Sequence, residues 1–312
     1  MNAATLKGRS LVNFKNWTAE EILYLLQISQ EVKKSSHNKE VHQRFQGKTL
    51  ALIFEKRSTR TRCAFETAFG EEGGHPVFLS TQDIQLGAKE SIEDTARVLG
   101  RMFSAIEFRG YKQSTVEILA RHAGVPVYNG LTDQFHPTQA LADIMTMQEV
   151  FGKIAGLRLC YIGDGKNNVA HSLLIICAKL GVHCTIISPD TLQPDANILT
   201  EAKEWAKDSG AEIMITSDRS AVKGADALYT DVWISMGQEL RRDEKVQELS
   251  QYQVNTSLMN LTENPSCIFL HCLPAVKGEE VTEEVIEGPK SKVWDQAENR
   301  KHTIKAIMLA TL

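Results

Sequence analysis

Short apolar runs alternate along the chain with stretches in which apolar residues return every three or four positions, and polar turns separate the two. The first periodic stretch follows Thr18. Ile22, Leu23, Leu25, Leu26 and Ile28 supply an apolar helix face, and Thr18 with Glu21 three residues later has the form of a capping box. After a charged stretch at 37–44, the run Leu50-Ala51-Leu52-Ile53-Phe54 suits a buried strand, and a helical pattern resumes at Ala64. Strand 76–79 with helix 91–103, and strand 105–109 with helix 114–123, repeat that unit before a strand at 125–128. His136-Pro137-Thr138-Gln139 opens a long helix through Val150, with Pro137 near the first turn, where a missing N–H costs least. Gly152 and Gly156 bracket the expected domain junction. Beyond it the alternation restarts: strand 157–162, helix 168–180, strand 183–187, helix 197–209, then strands 213–215, 227–229 and 267–270. A final helix, 296–312, is long enough to pack back on the first half. Alternation of this kind predicts parallel sheets covered on both faces. The fold class is therefore α/β, with two doubly wound domains at 1–150 and 151–295 and a C-terminal helix at 296–312 returning to the first.

Length agrees with this division, since 312 residues exceed one ordinary core. With 42% hydrophobic and 24% charged residues the chain belongs among globular rather than disordered sequences. A formal net charge of −4 argues against nucleic acid or an anionic membrane surface as partner, so any anion must be held by a few convergent donors. Cys63, Cys160, Cys177, Cys184, Cys267 and Cys272 form no Cys-x-x-Cys pair, and an even count is weak reason to expect disulfides in a chain of this size. There is no basic-then-apolar leader, and no apolar run approaches the ~20 residues that span a bilayer. A cytoplasmic protein is expected.

In parallel sheets ligands bind beyond the carboxyl ends of the strands, often at helix N-termini. Four polar segments stand at such places. Ser58-Thr59-Arg60-Thr61-Arg62 sets hydroxyls and a guanidinium where free backbone N–H groups and the helix dipole already favour an anion, which suits a phosphate. It lacks the glycines of a P-loop, and it also fits a solvated helix start capped by Ser58. His136 can donate to a carbonyl or phosphoryl oxygen and Gln139 can hold an amide, although a cap or packed side chain would look the same. Gly163-Asp164-Gly165-Lys166-Asn167-Asn168 evokes a dinucleotide fingerprint, but Val169-Ala170 stands where the third glycine should be. A turn receiving another ligand through Asn168 fits better. The strand ends at Asp231 and at His271-Cys272-Leu273-Pro274 complete the set. Asp231 can pair an ammonium, and Cys272 is better placed than the other thiols to line a site, or is a plain core thiol.

Together these segments resemble the aspartate/ornithine transcarbamylase family. The match is carried by Ser58-Thr59-Arg60-Thr61-Arg62, His136-Pro137-Thr138-Gln139, the segment from Asp231 through Ser235-Met236-Gly237, His271-Cys272-Leu273-Pro274 and Asp295-Gln296-Ala297-Glu298-Asn299-Arg300, in the family's order over about residues 14–312. The resemblance implies that Ser58, Thr59, Arg60 and Thr61 hold the phosphate of carbamoyl phosphate. It implies Arg109 on phosphate and carbonyl oxygens, His136 on the carbonyl, and Gln139 with the Leu273 backbone on the carbamoyl amide. Gln85 resembles a residue that reaches into a neighbouring subunit's site, in a homotrimer. Leu131, Asn168, Asp231, Ser235 and Met236 would hold the acceptor, with Cys272 and Arg300 facing the reacting centre.

Within the family the Ser-Met-Gly segment and the His-Cys-Leu-Pro strand end resemble the ornithine branch. An aspartate substrate would want additional cations, and putrescine would need no donors for an α-carboxylate. The implied reaction is attack of the uncharged δ-amine of ornithine on carbamoyl phosphate, giving citrulline and phosphate, a step of arginine metabolism. Arg109, His136 and Thr61 would stabilise the oxyanion, while Cys272 beside Asp231 assists loss of the amine proton. The chemistry requires no metal and no cofactor. A NAD-dependent oxidoreductase is suggested only by the turn at Gly163, and a binding protein on the same scaffold is disfavoured by intact Arg60, His136, Cys272 and Arg300.

Overall fold

A computed structural model describes residues 6–80, 84, 90–234 and 242–312. Gln85, Ser235, Met236 and Gly237, singled out above, lie outside the described residues. The capping box at the first helix is made: the Thr18 hydroxyl accepts from the Glu21 N–H, and the Glu21 carboxylate accepts from the Thr18 N–H, opening α1 (Ala19–His37). Ile22, Leu25, Leu26, Ser29 and Val32 form its buried stripe. Leu23 falls outside that stripe and is 45% exposed, because the helical period carries position 23 away from the face shared by 22, 25 and 26.

The alternation then follows: β1 (Thr49–Phe54), α2 (Thr59–Gly70), β2 (His75–Ser80), α3 (Ile92–Met102), β3 (Ala105–Arg109), α4 (Gln113–His122), β4 (Val127–Leu131) and α5 (Pro137–Phe151). The second half holds β5 (Arg158–Ile162), α6 (Asn168–Leu180), β6 (His183–Ile187), α7 (Ala196–Ser209), β7 (Ile213–Thr216), β8 (Ala227–Thr230), α8 (Arg242–Leu249), α9 (Thr256–Leu261), β9 (Ile268–His271), α10 (Glu283–Ile286) and α11 (Val293–Thr311). The short helices α8, α9 and α10 carry too little periodic apolar sequence to be read in advance. β4 begins later than expected and runs on through polar Asn129 and Gly130. The N-terminal segment makes that possible, since Leu11 O accepts from the Asn129 N–H at 2.8 Å and Val12 O accepts from its side-chain amide at 2.9 Å.

All strand pairs within the two sheets are parallel, with orders β2-β1-β3-β4 and β7-β6-β5-β8-β9. By compactness the chain divides into one unit of Met1–Met145 with Glu298–Leu312 and a second of Thr146–Ala297, so both boundaries fall inside helices, in α5 and α11. In the first unit Ala51, Ile53, Ile106 and Phe108 of the sheet pack with Ala96 and Leu99 of α3 and Val116 and Leu119 of α4. In the second, α6 is apolar nearly all round and almost wholly buried, as suits a helix enclosed by its own domain. Each sheet has one switch point, between β1 and β3 in the first and between β5 and β8 in the second, and parallel sheets bind ligands at such points, beyond the strands' carboxyl ends. Among the described residues no helix is long and apolar enough to cross a membrane.

Candidate active site

In the first unit the polar turn after β1 becomes the start of α2. Ser58 is extended, and its hydroxyl accepts from the Thr61 N–H at 3.2 Å, so the capping function and the candidate ligand turn are one structure. Capping turns Thr61 inward. Its side chain is fully buried, and its Oγ1 accepts from Arg109 Nη1 at 3.2 Å and from Arg300 Nη2 at 3.1 Å. Arg109 ends β3 across the switch point, and Arg300 comes from α11. Two guanidiniums thus converge on a helix N-terminus, whose own N–H groups and dipole favour negative charge. Arg60 is half-buried on the first turn and adds a third. Arg62 does not join them: it pairs with Glu66 and lies over the Phe78 ring, 3.7 Å from its centroid.

The start of α5 supplies the rest. The His136 carbonyl accepts from the Gln139 and Ala140 N–H groups, and its ring is buried close to the guanidiniums. Burial, reinforced by Arg300, Arg109 and Arg60, holds the imidazole well below the usual histidine range, so it is neutral at neutral pH. Gln139 is fixed at both ends: its Oε1 accepts from Arg300 Nη1 at 3.1 Å and its Nε2 donates to Asp143 Oδ1 at 2.8 Å. An amide oxygen has two lone pairs, so Oε1 retains capacity for one further donor. Leu131 closes β4, half-buried, and its carbonyl accepts from the Gly110 N–H. Two participants escaped the sequence reading. Asp143 sits one helical turn after Gln139, a spacing that could have revealed it. Glu107 is a carboxyl two residues before Arg109 in an otherwise apolar strand, and that oddity was its signal.

In the second unit the cluster lies at the ends of β5, β8 and β9. Asp231 is its centre: Oδ1 accepts from the Cys272 thiol at 2.9 Å and from the Val232 N–H at 2.8 Å, while Oδ2 accepts from Asn167 Nδ2 at 2.8 Å. These bonds occupy three of a carboxylate's four or so acceptor positions. Asn167 also caps α6, so the fixed partner of Asp231 is the cap, and half-buried Asn168 begins the helix. Asp164 in the same turn is buried against Lys245, which also donates to the Trp233 carbonyl at 3.2 Å. The His271 ring is held by the chain beside it: its Nδ1 accepts from the Leu273 N–H at 2.8 Å, while the His271 backbone N–H donates to Gln296 Oε1 at 3.0 Å. Leu273 is thereby held at φ +57°, which sets the direction of its carbonyl.

A basic cradle in one sheet and an acidic cluster in the other suit the joining of an anionic donor to a cationic acceptor, and the class is that of a two-domain α/β group transferase. The match to known proteins is specific. Residues 9–149 match the carbamoyl-P binding domain of aspartate/ornithine carbamoyltransferase and residues 155–311 match its Asp/Orn binding domain. The chain belongs to the aspartate/ornithine carbamoyltransferase family. An ornithine carbamoyltransferase from Caldanaerobacter subterraneus subsp. tengcongensis is 64% identical over 311 residues, which cover 99% of this chain and 99% of that one. The one from Thermotoga maritima is 58% identical, with the same coverage of both chains. The solved structure of the ornithine carbamoyltransferase from Pyrococcus furiosus superposes with a TM-score of 0.94 at 46% identity, covering 98% of this chain and 97% of that one.

Proposed function

We propose that the chain transfers the carbamoyl group of carbamoyl phosphate to the δ-amine of L-ornithine, releasing L-citrulline and phosphate. The observation that carries this reading is the convergence of Arg109 and Arg300 on the buried Thr61 hydroxyl at the N-terminus of α2. Ser58, Thr59, Arg60 and Thr61 receive the phosphate, Arg109 and Arg300 its charge, and the neutral His136 ring donates to the carbonyl oxygen. Gln139 and the Leu273 carbonyl take the two hydrogens of the carbamoyl amide. Asp231 accepts the α-ammonium of ornithine, with Asn168, Leu131, Ser235 and Met236 completing that subsite.

The amine nitrogen bonds to the carbonyl carbon, and the carbon–oxygen bond to phosphate then breaks. Preorganised donors at the oxyanion contribute a few kcal/mol each. The amine pKa is near 10, so the site must take the minor neutral form, and the Cys272–Asp231 pair assists removal of the proton. An anhydride is spent to form a urea, which favours the citrulline side and suits arginine biosynthesis. We place the enzyme in the cytoplasm as a homotrimer in which Gln85 completes a neighbouring subunit's site. Four buried thiols without disulfides agree with a reducing compartment.

Replacing Arg60 with Gly and, separately, Cys272 with Ser should each lower citrulline formation strongly. Near-normal turnover in both would overturn the site assignment. A panel of ornithine, putrescine, aspartate and N-acetylornithine, each with carbamoyl phosphate, should give turnover with ornithine above all.

A further inference from the structure

Beneath the cradle lies a carboxyl group that the reaction as described does not use. Glu107 occupies the middle of β3, in register with Leu52 of β1 on one side and Tyr128 of β4 on the other. Its side chain is fully buried, and neither carboxyl oxygen has a hydrogen-bond partner. Its position is fixed by Gly130: a Cβ there would stand 2.0 Å from Glu107 Oε1 and 3.0 Å from the Thr61 methyl, so carboxyl and Thr61 lie over the same glycine. The register of β4 shifts at that residue, Phe108 pairing with Asn129 and Arg109 with Leu131. The sheet therefore gives up a side chain to house an acid under the anion site.

The surroundings define what this acid can do. Arg109 from its own strand and Arg300 from α11 act on it as cations. Neutral His136, from the start of α5, shares both of those arginines. Thr61 of α2 and Leu52 of β1 carry no charge, and the Tyr128 hydroxyl is occupied by Thr311 at 2.7 Å. Burial pushes the Glu107 carboxyl well above the usual carboxylate range, against the pull of Arg109 and Arg300.

We propose that Glu107 is the countercharge of the empty cradle and takes up a proton when a phosphate group occupies it, so that anion binding is coupled to protonation of this side chain. A phosphate group engages Arg109 and Arg300, and that removes the attraction which favours the ionised carboxyl. With Arg109 and Arg300 turned to a phosphate dianion, a second anion buried beside them without a hydrogen-bond partner is the costlier state. The step moves one proton from solvent to a Glu107 oxygen and breaks no other bond. Glu107 touches no substrate and is a positioning residue. The proposal rests on the phosphate-cradle reading above.

The test compares the wild-type protein with Glu107→Gln, using inorganic phosphate as probe between about pH 5.5 and 8.5. Phosphate's own titration is common to both proteins and cancels in their ratio. At low pH the two affinities should be similar. As pH rises the wild type should weaken relative to the variant, by up to about tenfold per pH unit once the free carboxyl is ionised. Calorimetry in two buffers of different ionisation enthalpy should show extra proton uptake by the wild type, a measurement that needs no variant. Phosphate binding with parallel pH profiles, or with no proton uptake beyond that of phosphate itself, overturns the role of Glu107 and leaves the cradle standing. Absence of any phosphate binding overturns the cradle and this proposal together.

Discussion

Thr61 shows how much one hydroxyl can organise. Its N–H is taken by the Ser58 cap, and its oxygen accepts from two buried guanidiniums brought from distant parts of the first unit. Thr61→Val keeps the shape and removes the acceptor, leaving two charged donors short of a partner where water is scarce. A loss of about 1–3 kcal/mol in stability is expected, read in urea unfolding. A fall of about 10- to 100-fold in kcat/KM for carbamoyl phosphate should accompany it, on the scale of losing one preorganised donor. His136 makes a different statement. Because burial and three arginines keep the ring neutral, its protonation cannot produce an acid limb near the ordinary histidine value of 6.5. His136→Gln should therefore lower kcat by ~10²–10³ while the acid limb of the ornithine profile, set by the substrate's own amine, stays in place. Glu107 has the opposite sign. Its folded-state value is raised above the ordinary 4.5, so the folded protein binds the proton more tightly than the unfolded chain. Stability from this group is full below about pH 4.5 and lost as pH climbs toward the raised value. Glu107→Gln should match the wild type in urea midpoint at the acid end and exceed it increasingly at neutral pH.

At the scale of elements, β3 and β4 show where sequence legibility stopped. The apolar residues of β1 and the capping box of α1 were readable because each obeys a local rule of period or spacing. Ser58-Thr59-Arg60-Thr61 was readable as a polar helix start because hydroxyls and a guanidinium follow a buried strand directly, and the Ser58 cap is made. The end of β4 was not, since Asn129 and Gly130 look like a turn until Leu11 and Val12 supply the partners for Asn129. Such partners are more than 100 positions distant in sequence, and no local rule contains them. Arg62, next to the cradle in sequence, lies over the ring of Phe78, which belongs to the next strand. Gly130 gives the element-scale test. Gly130→Ala places a methyl against Glu107 and Thr61, and overpacking of this kind costs about 1–3 kcal/mol. In a double-mutant cycle with Glu107→Ala, the alanine at 130 should become markedly less costly. An equal cost in both backgrounds would mean that the carboxyl does not occupy that space.

For the whole molecule, the chain builds two separate parallel sheets and puts a cluster of one character at each switch point, cationic in the first unit and acidic in the second. On the proposed reading the cradle attracts a phosphate and repels a diamino acid, and the Asp231 cluster does the reverse. Binding should then be legible unit by unit. A ligand held only by the folded state stabilises it by an amount that grows with the logarithm of its concentration, about 2.7 kcal/mol at a hundred times its dissociation constant. Hydrogen exchange locates that gain. With phosphate present, the amides slowed most should be those at the start of α2, the ends of β3 and β4 and the first turn of α5, all within the first unit. Arg300→Ala should abolish this slowing while leaving the exchange of β5, β6 and β8 as it was, since that sheet draws its order from its own core. Slowing centred on the Asp231 cluster instead would assign the phosphate to the wrong unit and reverse the roles of the two halves.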